Sequence, residues 1–384
     1  MNGAHALSLS TRQFPLPINS AAPPVASVHD EAALMDRAAL HYAGGLLLDH
    51  LAPLRVHLED PTVQEIEINT GAEIWVERQG TTLHDPTICL EEVAICGAID
   101  TLANINGKPA TRILDCRLPG LRVAAARHPV AIRGSSMCIR KHACTAIRLE
   151  DYLQRGLFDV LAADTVAGGH ALPEPPSDAE LKAGGQALLR FLVWLVVSKK
   201  NVIVTGSTSS GKTTLLNAML AEIPIDQRLI TIEDTAELMV SVPNHVGFEA
   251  DNRDVFIRDL VRLALRYAPK RIVVGEIRGA ESYDLMAALN TGHQGGFVTF
   301  HANAAHEALP RLEGMLRQSE EGKSWPLDDI RVQIANTFDF IIHAAHEHGV
   351  RAPMEVRALL GARGGVYQTR LLFSKVMRED QFYV

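Results

Sequence analysis

Residues Gly206 to Thr213 read GSTSSGKT and fit the pattern G-x-x-x-x-G-K-[ST]. These residue types at this spacing suit the chemistry of polyphosphates. Gly206 and Gly211 permit backbone angles that a β-carbon would block. The amides of Ser207, Thr208, Ser209 and Ser210 can then converge on phosphate oxygens at the positive end of a helix. Lys212 reaches the β- and γ-phosphates, Thr213 offers a hydroxyl to Mg²⁺, and Thr214 completes the nucleotide-binding run. The expected cofactor is Mg²⁺ with ATP, and the expected reaction is hydrolysis of the terminal phosphoanhydride. An accidental Gly/Ser-rich turn is the bland alternative, and the flanks argue against it. Val202-Ile203-Val204 reads as a strand. Lys212 to Leu220 reads as a helix with Leu215, Leu216 and Met219 on its core side.

Two acidic segments follow. ITIEDTAEL (230–238) places Glu233 and Asp234 at a strand end, and IVVGEIRG (272–279) places Glu276 at another. In a parallel sheet the strand C-termini gather on one edge, where a P-loop also lies. One carboxylate can then orient and deprotonate the attacking water, while the other holds Mg²⁺ directly or through water. Each acid alone could equally be a surface residue. P-loop proteins usually carry an Asp just before that last Glu. Here the position is Gly275, so Glu276 is expected to do work often shared by two acids.

The segment TGHQGGFVTFHANA (291–304) holds two histidines, His293 and His301, with no third ligand at metal spacing. His301 is the expected γ-phosphate partner, against the alternative of a capping or core histidine. In DVFIRDLVRLALRYAP (254–269), Arg258, Arg262 and Arg266 recur at i, i+4. They form either a solvated face or one that meets an acidic or phosphate-bearing neighbour.

These residues need elements to position them. Asn201–Val204, Leu229–Ile232 and Arg271–Val274 are short β-branched runs, each followed by a turn and a helical pattern. That alternation predicts a mostly parallel sheet covered by helices. The first half reads differently. A helical pattern over 30–51 precedes VQEIEIN (63–69), which alternates as a half-buried strand does, and EIWVERQG (73–80), which completes a hairpin. A helix over 91–106 and strands over 121–126 and 136–140 follow. The expected fold class is α/β, a RecA-like P-loop ATPase domain preceded by a smaller α+β domain. The expected boundaries are a disordered tail over 1–28, the α+β domain over 29–150, a Pro/Gly-rich linker over 151–185 and the ATPase domain over 186–384.

Composition excludes several classes. At 384 residues and 47% hydrophobic content the chain can bury two cores. A net charge of −8 and only 5% aromatics argue against direct nucleic-acid binding, which needs basic faces interleaved with stacking rings. Five cysteines without C-x-x-C spacing predict reduced, mostly buried thiols and no zinc site. The polar, proline-broken start shows no signal-peptide h-region. The longest apolar stretch, Ala187–Val197, falls short of the roughly 20 residues a membrane span needs.

In combination, GSTSSGKTTLLNAML, RLITIEDTAEL, RIVVGEIRGAESYDLMAALNTGH and the TFHANA box resemble the ring ATPases of bacterial type IV secretion and conjugation, of the TrbB type. DPTVQEIEINTGAEIWVERQG and SMCIRKH resemble the same family, and the similarity covers roughly 55–340. Type II secretion and pilus motors share the architecture but usually carry a proline after the Glu-Asp pair, a methionine in place of Ile277 and a THTN-like histidine box. Thr235, GEIRG and FHANA favour the secretion and conjugation branch. The resemblance implies a homohexamer, peripheral on the cytoplasmic face of the inner membrane, working with inner-membrane machine components. It also implies N-terminal arginines that reach the phosphates, at Arg140 in SMCIRKH and Arg122 in LPGLRV. Two rivals remain: a type II secretion or pilus motor, and a nucleotide-dependent assembly scaffold with little turnover. The last 40 residues fit the family pattern least.

Overall fold

The computed structural model describes residues 45–78, 80–108, 111–141, 174–251, 253–347 and 350–375. The expected tail over 1–28, most of the helix expected over 30–51, residues 151–173 of the linker and Cys144 lie outside the described residues.

The first half builds a six-stranded antiparallel sheet from β1 (Val63–Thr70), β2 (Glu73–Arg78), β3 (Thr81–Asp85), β4 (Ile113–Leu118), β5 (Leu121–Ala126) and β6 (Ser136–Lys141), in the order β3-β2-β1-β6-β5-β4. One face is covered by the helix Glu92–Ile105, which buries Ile95, Ile99 and Leu102 against Ile66, Ile68 and Val123. The alternation in β1 predicted a second face open to water. That expectation fails, because Glu65 and Glu67 are both only 2% exposed. Their face is turned against the second half of the chain. There the Arg228 guanidinium meets the Glu67 carboxylate at 2.9 Å and donates to Asn69 Oδ1 at 2.8 Å. A charge so deeply buried persists only when paired.

The second half forms an eight-stranded sheet from β7 (Val202–Thr205), β8 (Leu229–Glu233), β9 (His245–Glu249), β10 (Arg271–Val274), β11 (Phe297–Phe300), β12 (Phe340–Glu347), β13 (Val350–Arg363) and β14 (Val366–Ser374). Its order is β14-β13-β12-β7-β11-β10-β8-β9. The stretch from β12 to β9 is parallel, and β13 and β14 add an antiparallel hairpin beyond β12. The last 40 residues, which fit the family pattern least, therefore supply the β13–β14 hairpin of this sheet.

One boundary differs from expectation. The helix Asp178–Ala183, set by a capping box between Ser177 and Glu180, was read as linker. Its Leu181 enters the core shared by β7, β14 and the helix Gly185–Val197, so this turn belongs to the ATPase half. The two halves are also not separated by a polar gap. Ala124, Ala126, Val130, Ala131 and Cys138 of the first half share one core with Phe248, Leu263 and Tyr267 of the second. The segment around Ala131 lies along the edge strand β9. Ile132 N–H donates to Gly247 O at 3.0 Å, and Val130 O accepts from Glu249 N–H at 2.8 Å.

Of the described cysteines, Cys116 and Cys138 are buried, Cys96 is intermediate and Cys89 is exposed, so burial is less general than expected. No helix among the described residues is long and apolar enough to cross a membrane.

Candidate nucleotide site

Strand order decides what meets at the sheet's C-terminal edge. Along it the strands run β7, β11, β10, β8. The residues at their ends therefore stand in the order P-loop, His301, Glu276, Glu233, which is not their order in the chain.

The P-loop joins β7 to the helix Lys212–Leu220. Gly206 is required by close approach, since a β-carbon there would stand 2.2 Å from the Ala344 carbonyl oxygen of β12. Gly211 caps the helix with φ of 91°, a left-handed angle that costs glycine nothing. Ser209 also has positive φ, at 61°, a conformation concentrated at ligand-binding turns.

Lys212 Nζ donates to Gly206 O at 3.0 Å, to Ser207 O at 2.9 Å and to His301 Nδ1 at 3.2 Å. Burial pulls its pKa below the usual lysine value, and the Glu276 carboxylate opposes that pull. Because Nδ1 of His301 accepts from the ammonium, the ring proton belongs on Nε2. That nitrogen stands 3.1 Å from Glu276 Oε1, within ion-pair distance but out of line for a hydrogen bond. Oε2 of Glu276 accepts from Arg278 Nη2 at 2.9 Å, and the same nitrogen lies 2.8 Å from Asp234 Oδ2.

Glu233 is 4% exposed, and its Oε2 accepts the backbone N–H groups of Glu237 and Leu238 at 2.7 and 2.9 Å. Burial pushes its pKa above the ordinary carboxylate value, and the two amides only partly offset this. The missing Asp at position 275 now has an explanation. A β-carbon on Gly275 would stand 3.0 Å from Glu233 Cγ. The second acid is thus supplied by β8, in the space where a side chain at 275 would lie. Gly275→Asp is expected to lower turnover by on the order of 10-fold or more, through crowding and like-charge repulsion of Glu233. Phosphate-release assays on the purified variant check this, and unchanged turnover would reject the packing argument.

These residues border one cavity of about 460 Å³, lined by residues 208–214, Glu233, Asp234, Glu276, Arg278, His301 and Arg351. Thr213 and Thr214 stand on it in the first helical turn. The sequence missed Arg278 and Arg351 as site residues. Arg278 was readable in GEIRG, but Arg351 sits in the hairpin of β12 and β13 with no motif around it.

Arg122 and Arg140 do not reach this cavity. They face each other across β5 and β6. Arg122 makes a forked pair with Asp115 at 3.0 and 2.8 Å, and Arg140 pairs with Glu65 at 3.0 Å. Instead, Arg133 and Glu73 of the first half line a second cavity, of about 400 Å³, that shares Glu233 and Leu238 with the first. His293 is also absent from the phosphate cavity; its Nδ1 stands 3.2 Å from Ala288 O at the end of the helix Glu281–Leu289. The arginine face of the helix Ile257–Ala264 meets acids of the same chain. Arg258 and Arg262 both pair with Asp284, and Arg258 also pairs with Glu321. Arg266, just beyond that helix, reaches Asp115 of the first half at 3.3 Å.

Residues 179–346 match the family described as type II/IV secretion system protein. The chain is 33% identical over 335 residues to the type IV secretion system protein VirB11 of Brucella suis, covering 82% of this chain and 88% of that one. It is 32% identical over 320 residues to the type IV secretion system protein PtlH of Bordetella pertussis, covering 80% and 92%. The crystal structure of the VirB11 ATPase from the Brucella suis type IV secretion system, in complex with sulphate, superposes with a TM-score of 0.71 at 32% identity, over 85% of this chain and 96% of that one. With the P-loop, the two strand-end carboxylates and the bridging histidine gathered on one sheet edge, the chain belongs to the VirB11 family of type IV secretion ATPases.

Proposed function

We propose that this ATPase is a homohexameric motor on the cytoplasmic face of a bacterial inner membrane, powering assembly of, or transport through, a type IV secretion or conjugation machine. The observation that carries the catalytic part is the run Lys212–His301–Glu276 across adjacent strand ends, with Glu233 buried beside it. Water attacks the γ-phosphorus, the bond to the β-phosphate oxygen breaks, and ADP and phosphate leave. Glu233 is assigned as the base, since burial raises its affinity for the water's proton. Lys212 draws the phosphate oxygens, and His301 links that lysine to Glu276.

The oxygen donors of the cavity fit Mg²⁺, a hard cation that keeps waters and takes one or two carboxylates. Glu276 Oε1 is buried and accepts no hydrogen bond from the described residues, so it can serve the ion directly or through water, with Thr213 as the second protein donor. A Mg²⁺ ion held there by Glu276 and Thr213 would supply charge neutralisation for the polyphosphate.

The expected closure of the N-terminal domain on the P-loop would break the shared core if it occurred within one chain. We therefore assign it to neighbouring subunits of the ring, with Arg122 and Arg140 approaching the phosphates held by the next chain. The units assigned are 29–150 and 186–384, the latter extended by the turn at 178–185.

The test is the pH profile of turnover. A base must be ionised to act, so activity is lost below its pKa and gained above it. Burial of Glu233 places that acid limb above the ordinary carboxylate range. Glu233→Gln should retain ATP without hydrolysing it, with a hexamer still present by mass photometry. Near-normal turnover in Glu233→Gln, or a limb at ordinary carboxylate pH, rejects the assignment.

A further inference from the structure

The cavity carries three cations, and two of them are already engaged. Lys212 donates to its own loop and to His301, and Arg278 is shared between Glu276 and Asp234. Arg351 lines the same cavity and has no ion pair or hydrogen bond among the described residues. Its five N–H donors form a planar fork suited to phosphate.

The fold holds it there. β12 runs parallel to β7, with His343 opposite Thr205, so the strand continues past the start of the P-loop. Ala344 O abuts Gly206, and the chain then returns as β13 with Arg351 opposite His346. A methyl group on Gly211 would lie 3.5 Å from Arg351 Cβ and 3.9 Å from its Cδ. The hairpin thus leans on the residue that opens the P-loop helix. The amides at this point of the loop cradle the α- and β-phosphates, whereas Lys212 reaches toward the γ-phosphate.

We propose that Arg351 is a nucleotide-binding residue, supplied by the β12–β13 hairpin, that grips the α- and β-phosphates of ATP. It is a ground-state contact, kept by ADP after hydrolysis. This rests on the cavity being the ATP site, so Lys212→Ala is measured alongside. Binding of ATPγS and of ADP, each with Mg²⁺, is titrated calorimetrically on the full chain. Arg351→Ala is expected to weaken both nucleotides alike, on the order of 10-fold, the scale of a charge-assisted hydrogen bond. KM for ATP should rise by the same factor, while kcat at saturation falls less than about threefold. Arg351→Lys, which keeps the charge but not the fork, should recover part of the affinity.

Unchanged affinity for both nucleotides in Arg351→Ala overturns the proposal. So does a loss confined to ATPγS, which would mark a γ-phosphate contact, or a fall in kcat with KM unmoved. If Lys212→Ala also leaves ATPγS affinity intact, the cavity is not the nucleotide site and both readings fall. If Lys212→Ala binds weakly and Arg351→Ala binds normally, only the arginine assignment fails.

Discussion

Lys212→Ala is expected to reduce ATP hydrolysis by on the order of 10³-fold or more, the scale on which a preorganised donor stabilises charge in a transition state. The reason is local. Lys212 is 8% exposed and lines the cavity, and it donates to two carbonyls of its own loop and to His301 on the cavity wall. Alanine removes the cation that follows the γ-phosphate and also strips His301 Nδ1 of its donor. His301 Nδ1 is then left facing Gly206 O at 3.3 Å, so the ring proton can shift to Nδ1 and away from Glu276. The fold should tolerate the change, because the β7 and P-loop backbone is held by Gly206 against β12 rather than by the lysine. Phosphate release by the purified variant, with far-UV circular dichroism as the folding control, is the measurement. Turnover within about tenfold of the parent would exclude the P-loop as the hydrolytic site.

The second large effect concerns stability. Arg228→Ala should cost about 3–5 kcal/mol, the range for removing one partner of a buried ion pair. Arg228 donates to Glu67, to Asn69 and, through Nε, to Tyr267 O at 2.6 Å, and it also contacts Asn244. Burial already pushes the Glu67 pKa up, and the Arg228 charge is what restrains it. Without the arginine the folded-state pKa rises further above the unfolded value. A raised carboxylate pKa favours the folded form at low pH and loses that contribution as pH climbs through the folded pKa. The deficit should therefore shrink on acidification. Urea unfolding at neutral and mildly acidic pH checks both parts. Arg228→Met combined with Glu67→Leu should recover most of the loss, since a packed apolar pair replaces two buried charges. A single variant as stable as the parent would show that the pair is not needed to hold the two halves together.

The parts legible in the sequence were those whose chemistry is local. A glycine spacing and a lysine define the P-loop whatever surrounds it, and a strand followed by an acid already places Glu233 and Glu276 on a sheet edge. Strand order is a non-local property, and the histidine depended on it. Nothing in TFHANA says that β11 lies between β7 and β10, yet that position makes His301 the neighbour of both Lys212 and Glu276. Gly275 looked like a missing acid because a one-dimensional reading cannot see Glu233 arriving from the adjacent strand. The alternation in β1 was read correctly as a strand but wrongly as a solvated face. Glu65 and Glu67 look like surface residues until their partners, Arg140 and Arg228, are brought from far along the chain. Arg122 and Arg140 were assigned by resemblance alone, and within one chain their charges are met by Asp115 and Glu65.

The clasp of residues 130–132 on β9 bears on how the protein is made. A parallel edge strand with Val246 and Phe248 in it is an adhesive surface, able to recruit any extended segment that reaches it. Here the recruit is part of the same molecule, bound in the way a peptide augments a sheet. Synthesis runs from the N-terminus, so the covering segment has left the ribosome before the edge it covers exists. Order of translation thus protects the nascent ATPase half. The same half expressed from residue 174 onward should self-associate, and adding the first half in trans should suppress it.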